Sequence, residues 1–384
     1  MQPSRFDVYP IRRGRFQAVG VVEIVTAIIG TGLIVAAMAA NQTWLDRHFL
    51  PSFFIPRHWY VVIETVVRAA IATAGAAFVL ERSRLAHLVA RAPAMSVSVV
   101  AAVVLAITTS ELALRWIHLQ PTGWLLRDEE PRRQDDPYLG WVLAPARTGH
   151  ITVGGRALEY AIDAAGYRVA RAGDSVDPER PAVVFAGESV MFGEGLAWEE
   201  SIPAQVSAMV GIQSANLAVH GYSTDQIYLR LGKELPRFRH PVAVVSIFMS
   251  ELFGRNLDGD RPHLGPGLVW HAAEHKSRLM SLAGLLVPYR RDTTVERGVR
   301  VTREALLAMV ELARRRQATP LVLVPQFGTE DDLQRTIRRR ILAEDIPTVL
   351  VPLDPDWRLA WDRHPNAPAA HLLAAAIAAR LQHR

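Results

Sequence analysis

The chain has 384 residues, half of them hydrophobic, and contains no cysteine. That absence excludes disulfides, thiolate metal sites and a cysteine nucleophile, and leaves the redox compartment open. The formal net charge is +5. Much of the arginine flanks long apolar runs, where it bears on membrane orientation rather than on nucleic acid, and no nucleic-acid partner is expected.

Three apolar runs come first: Ala18–Ala40, Trp59–Leu80 and Val97–Ile117. Each is long enough to cross a hydrocarbon core, which takes about 20 helical residues. The first is too long for a signal peptide, and two more follow it. Arg5, Arg12, Arg13 and Arg15 precede the first run, and Arg82, Arg84 and Arg91 separate the second from the third. The loop between the first two carries only Arg47 and Arg57, with Asp46 nearby. The positive-inside bias therefore predicts a cytoplasmic N-terminus in the inner membrane of a bacterium. Three crossings then deliver everything after residue 118 to the periplasmic side. Glu23, Glu64, Arg68, Glu111 and Arg115 interrupt the runs. Glu64/Arg68 and Glu111/Arg115 are spaced i,i+4, which suits mutual neutralisation or contact with a partner membrane protein better than a conduction path.

Residues 119–180 read as a polar connector rich in Pro and Arg. It ends in two strand-like pieces, His150–Val153 and Leu158–Ile162, around a Gly154–Gly155 turn. From residue 181 strands and helices alternate. Strands are expected at Ala182–Ala186, Ser214–Val219, Val242–Met249, Leu321–Val324 and Thr348–Val351. Helices are expected at Ser201–Val210, Thr224–Leu235, Val295–Arg316, Asp331–Ala343 and Ala367–Leu381. Ser201 is a good N-cap and Ser223-x-x-Gln226 a capping box. The pattern predicts an α/β domain built on a doubly wound, five-stranded parallel sheet. Loop 254–295 is long enough to form a lid or a substrate wall. The arginines at 335, 338, 339 and 340 read as a solvated helix face.

In such a sheet the reactive groups lie beyond the carboxyl ends of the strands. Gly187-Glu188-Ser189 follows the first strand, His220-Gly221-Tyr222 the second, Ser250-Glu251 and then Asn256 the third, and Asp362-Arg363-His364 the fifth. A serine hydroxyl needs a base, and His364 is the candidate, with Asp362 to hold its tautomer. The N–H of Ser189, the N–H of Gly221, and the side chain of Ser250 or Asn256 are candidate oxyanion donors. Each piece also has a plain structural reading. A Gly-x-Ser after a strand is common in turns, His364 can simply precede an N-cap at Asn366, His220 reads as a rim residue, and His371 packs on the last helix.

Together these stretches resemble the SGNH/GDSL hydrolase superfamily. "VVFAGESVMFGEGL" resembles its first block, "NLAVHGYSTDQ" its second and "WDRHPNAPAAH" its last. The stretch from "DPYLGWVLAP" to "IDAAGYR" is similar to the segment preceding the first block in membrane-attached members. The resemblance spans about two thirds of the chain. It implies a flavodoxin-like α/β/α domain, Ser189 as nucleophile, Asp362 and His364 as its triad partners, and Gly221 as a backbone oxyanion donor. Two positions depart from it. Glu188 stands where the family has Asp, and Ser250-Glu251 stands where it has Asn-Asp, the Asn being an oxyanion donor. Losing one such donor costs about 3–4 kcal/mol of transition-state stabilisation.

The sequence thus predicts a membrane domain over residues 1–118, a connector over 119–180 and an SGNH-like domain over 181–384. The expected activity is hydrolysis or transfer of a small acyl group, such as acetyl on an envelope glycan, with no cofactor and no metal. The expected partners are an acylated small molecule, glycan or lipid, membrane lipid, and an envelope membrane protein. Two rivals are a non-catalytic glycan-binding scaffold and a membrane-surface lysophospholipase or thioesterase with an apolar groove formed by Leu279, Leu282, Leu285 and Leu286.

Overall fold

A computed structural model describes residues 10–40, 57–116, 129–274, 277–280 and 290–382, without the side chains of residues 10–18, 57, 58 and 60. Arg5, Asp46, Arg47, Ile117, Leu282, Leu285 and Leu286 lie outside the described residues, as do residues 119–128 and the side chains of Arg12, Arg13, Arg15 and Arg57. The described residues form two compact units, one ending at Trp116 and one beginning at Glu129.

The first unit is helical: α1 Pro10–Ala39, α2 Arg57–Leu80, α3 Arg82–Arg91 and α4 Pro93–Trp116. Within it Val19–Ala39, Val61–Leu80 and Pro93–Trp116 are long and apolar enough to cross a membrane. Helices α1 and α2 meet glycine to glycine. A Cβ added at Gly30 would lie 2.6 Å from the Gly75 carbonyl oxygen, and one at Gly75 would lie 2.7 Å from that of Gly30. Small residues at such a crossing let two backbones approach where no hydrophobic force drives helices together. Arg68 donates to the Ala37 carbonyl at 3.1 Å, and Arg115 pairs with Glu111 at 2.7 Å.

The second unit contains strands β1 Arg133–Asp136, β2 Gly140–Leu143, β3 Arg147–Val153, β4 Arg156–Ile162, β5 Arg168–Val169, β6 Ala182–Ala186, β7 Gln213–Asn216, β8 Pro241–Ile247, β9 His263–Leu264, β10 Trp270–His271, β11 Thr319–Phe327 and β12 Thr348–Leu353. Its helices are α5 Ser189–Phe192, α6 Ile202–Val210, α7 Thr224–Glu234, α8 Asp292–Arg315, α9 Asp332–Ile341 and α10 Ala367–Gln382. Among the described residues the central sheet has eight strands, ordered β12-β11-β8-β6-β7-β5-β4-β3. The first five of these run parallel, and β5, β4 and β3 extend the sheet antiparallel.

The expectation of a five-stranded sheet is therefore corrected to eight, mixed and largely parallel. Pairs β3–β4 and β4–β5 belong to the central sheet rather than to a separate hairpin. The link that attaches them is a single residue pair, Arg168 opposite Asn216. A strand as short as β5 has no periodicity for a sequence reading to detect.

Strand β6 is buried at all five positions, as a parallel strand covered on both faces should be. Helix α6 packs on α10, and α7 on α8. Ser201 caps α6, and Ser223 with Gln226 forms a reciprocal cap on α7. The 254–295 stretch is less irregular than its composition suggests. It contains the end of a 3-10 segment (Ser250–Leu257), the β9–β10 pair and the start of α8. On α9, Arg335 pairs with Asp332, Arg338 with Glu330 and Arg340 with Glu296, so that face is laced with ion pairs.

Candidate active site

Strand β6 ends at Ala186, and the chain turns through Gly187 into the short helix α5. Glu188 is its N-cap, with Oε2 accepting the Val190 N–H at 3.2 Å. Ser189 is the first helical residue, so its own N–H has no acceptor within the helix. The loop after β7 lies alongside, because the Val219 N–H donates to the Gly187 carbonyl at 3.1 Å. Strand β2 fixes that loop: Trp141 Nε1 donates to the His220 carbonyl at 3.1 Å, and the Tyr222 hydroxyl donates to the Trp141 carbonyl at 2.6 Å. Arg261 holds the Gly221 carbonyl at 2.7 Å and Gln226 Oε1 at 3.0 Å. Ser189 and Gly221 therefore sit on adjacent loops at one end of the sheet.

The third loop, after β12, brings in the imidazole. His364 Nε2 is 2.8 Å from Ser189 Oγ, and His364 Nδ1 is 2.7 Å from Asp362 Oδ2. Serine and histidine are only 3% and 4% exposed, so the contact is shielded from water. Arg358 anchors this loop to Glu251 at 3.2 Å, and Arg363 lies 3.8 Å from the same carboxylate. Trp361 presses against the β3–β4 turn, where a Cβ at Gly154 would lie 1.9 Å from its ring. Asn366 also caps α10 by accepting the Ala369 N–H, as the plain structural reading of His364-Pro365-Asn366 expects.

Burial opposes a charge on His364. Glu194, Asp362 and Glu188 outweigh it and hold the pKa above the ordinary 6.5. Burial likewise opposes a charge on Asp362, but the hydrogen bond and charge of His364 and nearby backbone N–H groups hold its carboxyl below the usual range. Ser189 Oγ has one proton and two acceptors, His364 Nε2 and Glu188 Oε2, the latter at 2.6 Å. With His364 neutral and its proton on Nδ1, Nε2 can accept that proton. With His364 charged, the hydroxyl can only turn to Glu188.

Two of the four expected oxyanion donors are engaged elsewhere. The Ser250 hydroxyl donates to Glu330 Oε1 at 2.8 Å, and Glu330 is itself held by Arg338 at 2.7 Å. The Asn256 amide donates to the hydroxyls of Thr224 and Thr302 at 3.0 and 2.9 Å, while its oxygen accepts the Thr224 N–H. The 3-10 segment after β8 turns Ser250 toward the start of α9 and Asn256 toward α7 and α8. His220 is buried against Phe192 and reaches Glu129 at 3.2 Å, consistent with a loop-packing residue. His371 bonds across to Gln205 on α6 rather than locally.

Sequence reasoning missed four residues around this centre. Glu194 lies 3.7 Å from His364 Nε2. Arg255 Nη1 lies 3.7 Å from Glu188 Oε2. Arg168 is fully buried and donates to the carbonyls of Phe192, Gly193 and Leu196 at 2.7–2.8 Å. The Tyr160 hydroxyl accepts the Gly195 N–H at 2.9 Å. Only Glu194 carried a signal, its closeness in sequence to Ser189. Glu194, Asp362 and His364 also offer ligand atoms within 4.8 Å of one another. Both ring nitrogens of His364 are already engaged, so a cation bound there would displace the Ser189 hydroxyl.

No protein-family model and no curated protein matches the chain. Among solved structures it is similar to GDSL lipolytic proteins and carbohydrate esterases. One is a GDSL-like lipase from Bacteroides thetaiotaomicron, with 16% identity over 54% of this chain and 91% of that one, at a TM-score of 0.33. Another is a carbohydrate esterase family 2 enzyme with its carbohydrate-binding domain from Corynascus thermopiles, with 15% identity over 57% and 69%, at 0.36. A third is an acetyl xylan esterase from Butyrivibrio proteoclasticus, with 12% identity over 55% and 65%, at 0.33.

Proposed function

We propose that this chain is a membrane-anchored serine ester hydrolase or acyl transferase of SGNH type. Ser189 is the nucleophile, His364 the general base and acid, and Asp362 the residue that orients and stabilises its imidazolium. The observation that supports this reading is the contact chain Ser189 Oγ–His364 Nε2–Asp362, at 2.8 and 2.7 Å in a buried setting. Attack by Oγ on an ester carbonyl forms a tetrahedral adduct with the carbonyl electron pair on oxygen, and its collapse breaks the ester C–O bond to leave an acyl–serine. His364 takes the hydroxyl proton and returns it to the leaving alkoxide. The N–H groups of Ser189 and Gly221 face the developing oxyanion. Water, or a sugar hydroxyl, then takes the acyl group.

The arginine distribution around the apolar helices supports an inner-membrane protein with a cytoplasmic N-terminus and an extracytoplasmic catalytic unit. That compartment supports a small acyl group on an envelope glycan as the substrate. The test uses the full chain in detergent. A fluorophosphonate probe should label wild-type protein at Ser189, and Ser189→Ala should reduce turnover of a short-chain chromogenic ester to the no-enzyme background. Equal labelling and turnover in that variant would reject the assignment. The non-catalytic reading draws on the Ser250–Glu330 bond and predicts no labelling of the wild type.

A further inference from the structure

We propose that Arg255 is the third oxyanion donor, a cationic one, acting where Ser250 does not. This rests on the esterase reading above and deepens it. A tetrahedral oxyanion held by two backbone N–H groups lacks the side-chain donor that the family places at position 250. Neither nearby candidate is free to serve, since the Ser250 hydroxyl is committed to Glu330 and both amide hydrogens of Asn256 to threonines.

Arg255 lies on the same 3-10 segment, Ser250–Leu257. Its Nη1 is buried and makes no hydrogen bond. It stands 3.7 Å from Glu188 Oε2, beyond hydrogen-bond length, and that same oxygen accepts the Ser189 hydroxyl at 2.6 Å. The guanidinium is thus at most the sum of those two spacings from the nucleophile. Glu188 Oε1 is likewise buried without a hydrogen-bond partner. A carboxylate and a guanidinium left half-paired beside a nucleophile are an unusual expense in a protein interior, where buried polar atoms are almost always bonded. The charges of Glu188 and Glu194 both act on Arg255, and these two carboxylates flank the Ser189–His364 contact.

The substrate resolves the incomplete pairing. Before attack, Arg255 balances Glu188, whose negative charge beside Ser189 would otherwise oppose a second negative charge. As Oγ bonds to the carbonyl carbon and the electron pair moves to oxygen, an Nη1–H donates to that oxygen. Arg255 keeps its proton throughout, and His364 carries the only proton transferred. Because the new charge exists only in the transition state, the contact raises kcat rather than ground-state binding.

The test compares the full-length wild type with Arg255→Ala and Arg255→Lys on a 4-nitrophenyl ester, with thermal melts in parallel. Arg255→Ala should lower kcat roughly 100- to 1000-fold, the scale of losing one oxyanion donor, with KM changed less than about threefold. Arg255→Lys, which keeps the charge and loses the fork, should fall in between. Added methylguanidinium should restore turnover to Arg255→Ala and not to Ser189→Ala. A kcat within about threefold of wild type in both Arg255 variants would overturn the proposal. So would a loss that tracks the melting temperature, moves KM and kcat together and is not rescued, because that marks a structural counter-ion to Glu188. If Arg255→Ala does not fold, Arg255→Lys decides by the same KM-against-kcat split. A wild type silent toward both ester and fluorophosphonate would instead sink the esterase reading, and this proposal with it.

Discussion

Replacing Arg168 with Met keeps the apolar stem and removes the guanidinium that gathers three carbonyls of the loop after α5. Its Nη1 holds Phe192 and Gly193, and Nη2 holds Leu196. Phe192 keeps the Asn216 amide as a second donor, and Gly193 keeps the Leu196 N–H. The Leu196 carbonyl loses its partner, at about 1–3 kcal/mol for an unsatisfied buried group, while bonds from a charged donor contribute about 1.5–3 kcal/mol each. The guanidinium also stacks over the rings of Tyr160 and Phe192, with its carbon 4.8 Å from each centroid. Burial lowers its pKa to about 10, so it remains charged at neutral pH and its own desolvation is relieved on substitution. The net loss comes to about 4 kcal/mol, which for a unit of this size lowers the melting midpoint by roughly 10 °C. The assay is a thermal melt of the full-length protein in detergent, followed by tryptophan fluorescence. Labelling of Ser189 should slow in step, because the same loop carries Glu194. A midpoint within about 2 °C of wild type would refute the view that this arginine holds the loop in place.

Three further outcomes follow from the site. In the proposed mechanism the base is neutral His364, whose pKa is held above the ordinary 6.5, so kcat/KM should fall as pH drops through a midpoint on the alkaline side of that value. Glu188→Gln removes one of the charges that raise it, so the acid limb of the pH–rate profile should move to lower pH; an unmoved limb would assign it to another group. Asp362→Asn should lower kcat by about 10⁴-fold with little change in KM, measured on the same ester, because the wrong tautomer then faces Ser189. A drop of less than about tenfold would remove Asp362 from the machinery.

Much of the geometry was legible because its carriers are local. Gly187-Glu188-Ser189 follows a five-residue apolar strand, and Asp362-Arg363-His364 precedes a helix with its own cap. The strand-end rule places both at one rim without any knowledge of long-range contacts. The engagement of Ser250 and Asn256 was not legible, because what they bind, Glu330 and Thr302, is far away in sequence. Arg168, Arg255 and Arg261 escaped notice for a different reason. An arginine in a polar stretch reads as surface, and nothing in its neighbourhood says that carbonyls and carboxylates elsewhere in the chain will bury it. Strand β5 was invisible because its two residues, Arg168 and Val169, are too few to show a periodicity.

The contact between Trp361 and the Gly154 turn has a practical meaning for anyone wishing to prepare the second unit without the helical one. A fragment begun at residue 181, where the strand–helix alternation starts, would strip β3, β4 and β5 from the sheet and remove the surface on which the histidine-bearing segment rests. Strand β7 would also lose the one pairing it has on that side, Asn216 opposite Arg168. Such a fragment should hold its histidine loosely, whereas one retaining everything from Glu129 onward keeps the Gly154 turn beneath Trp361.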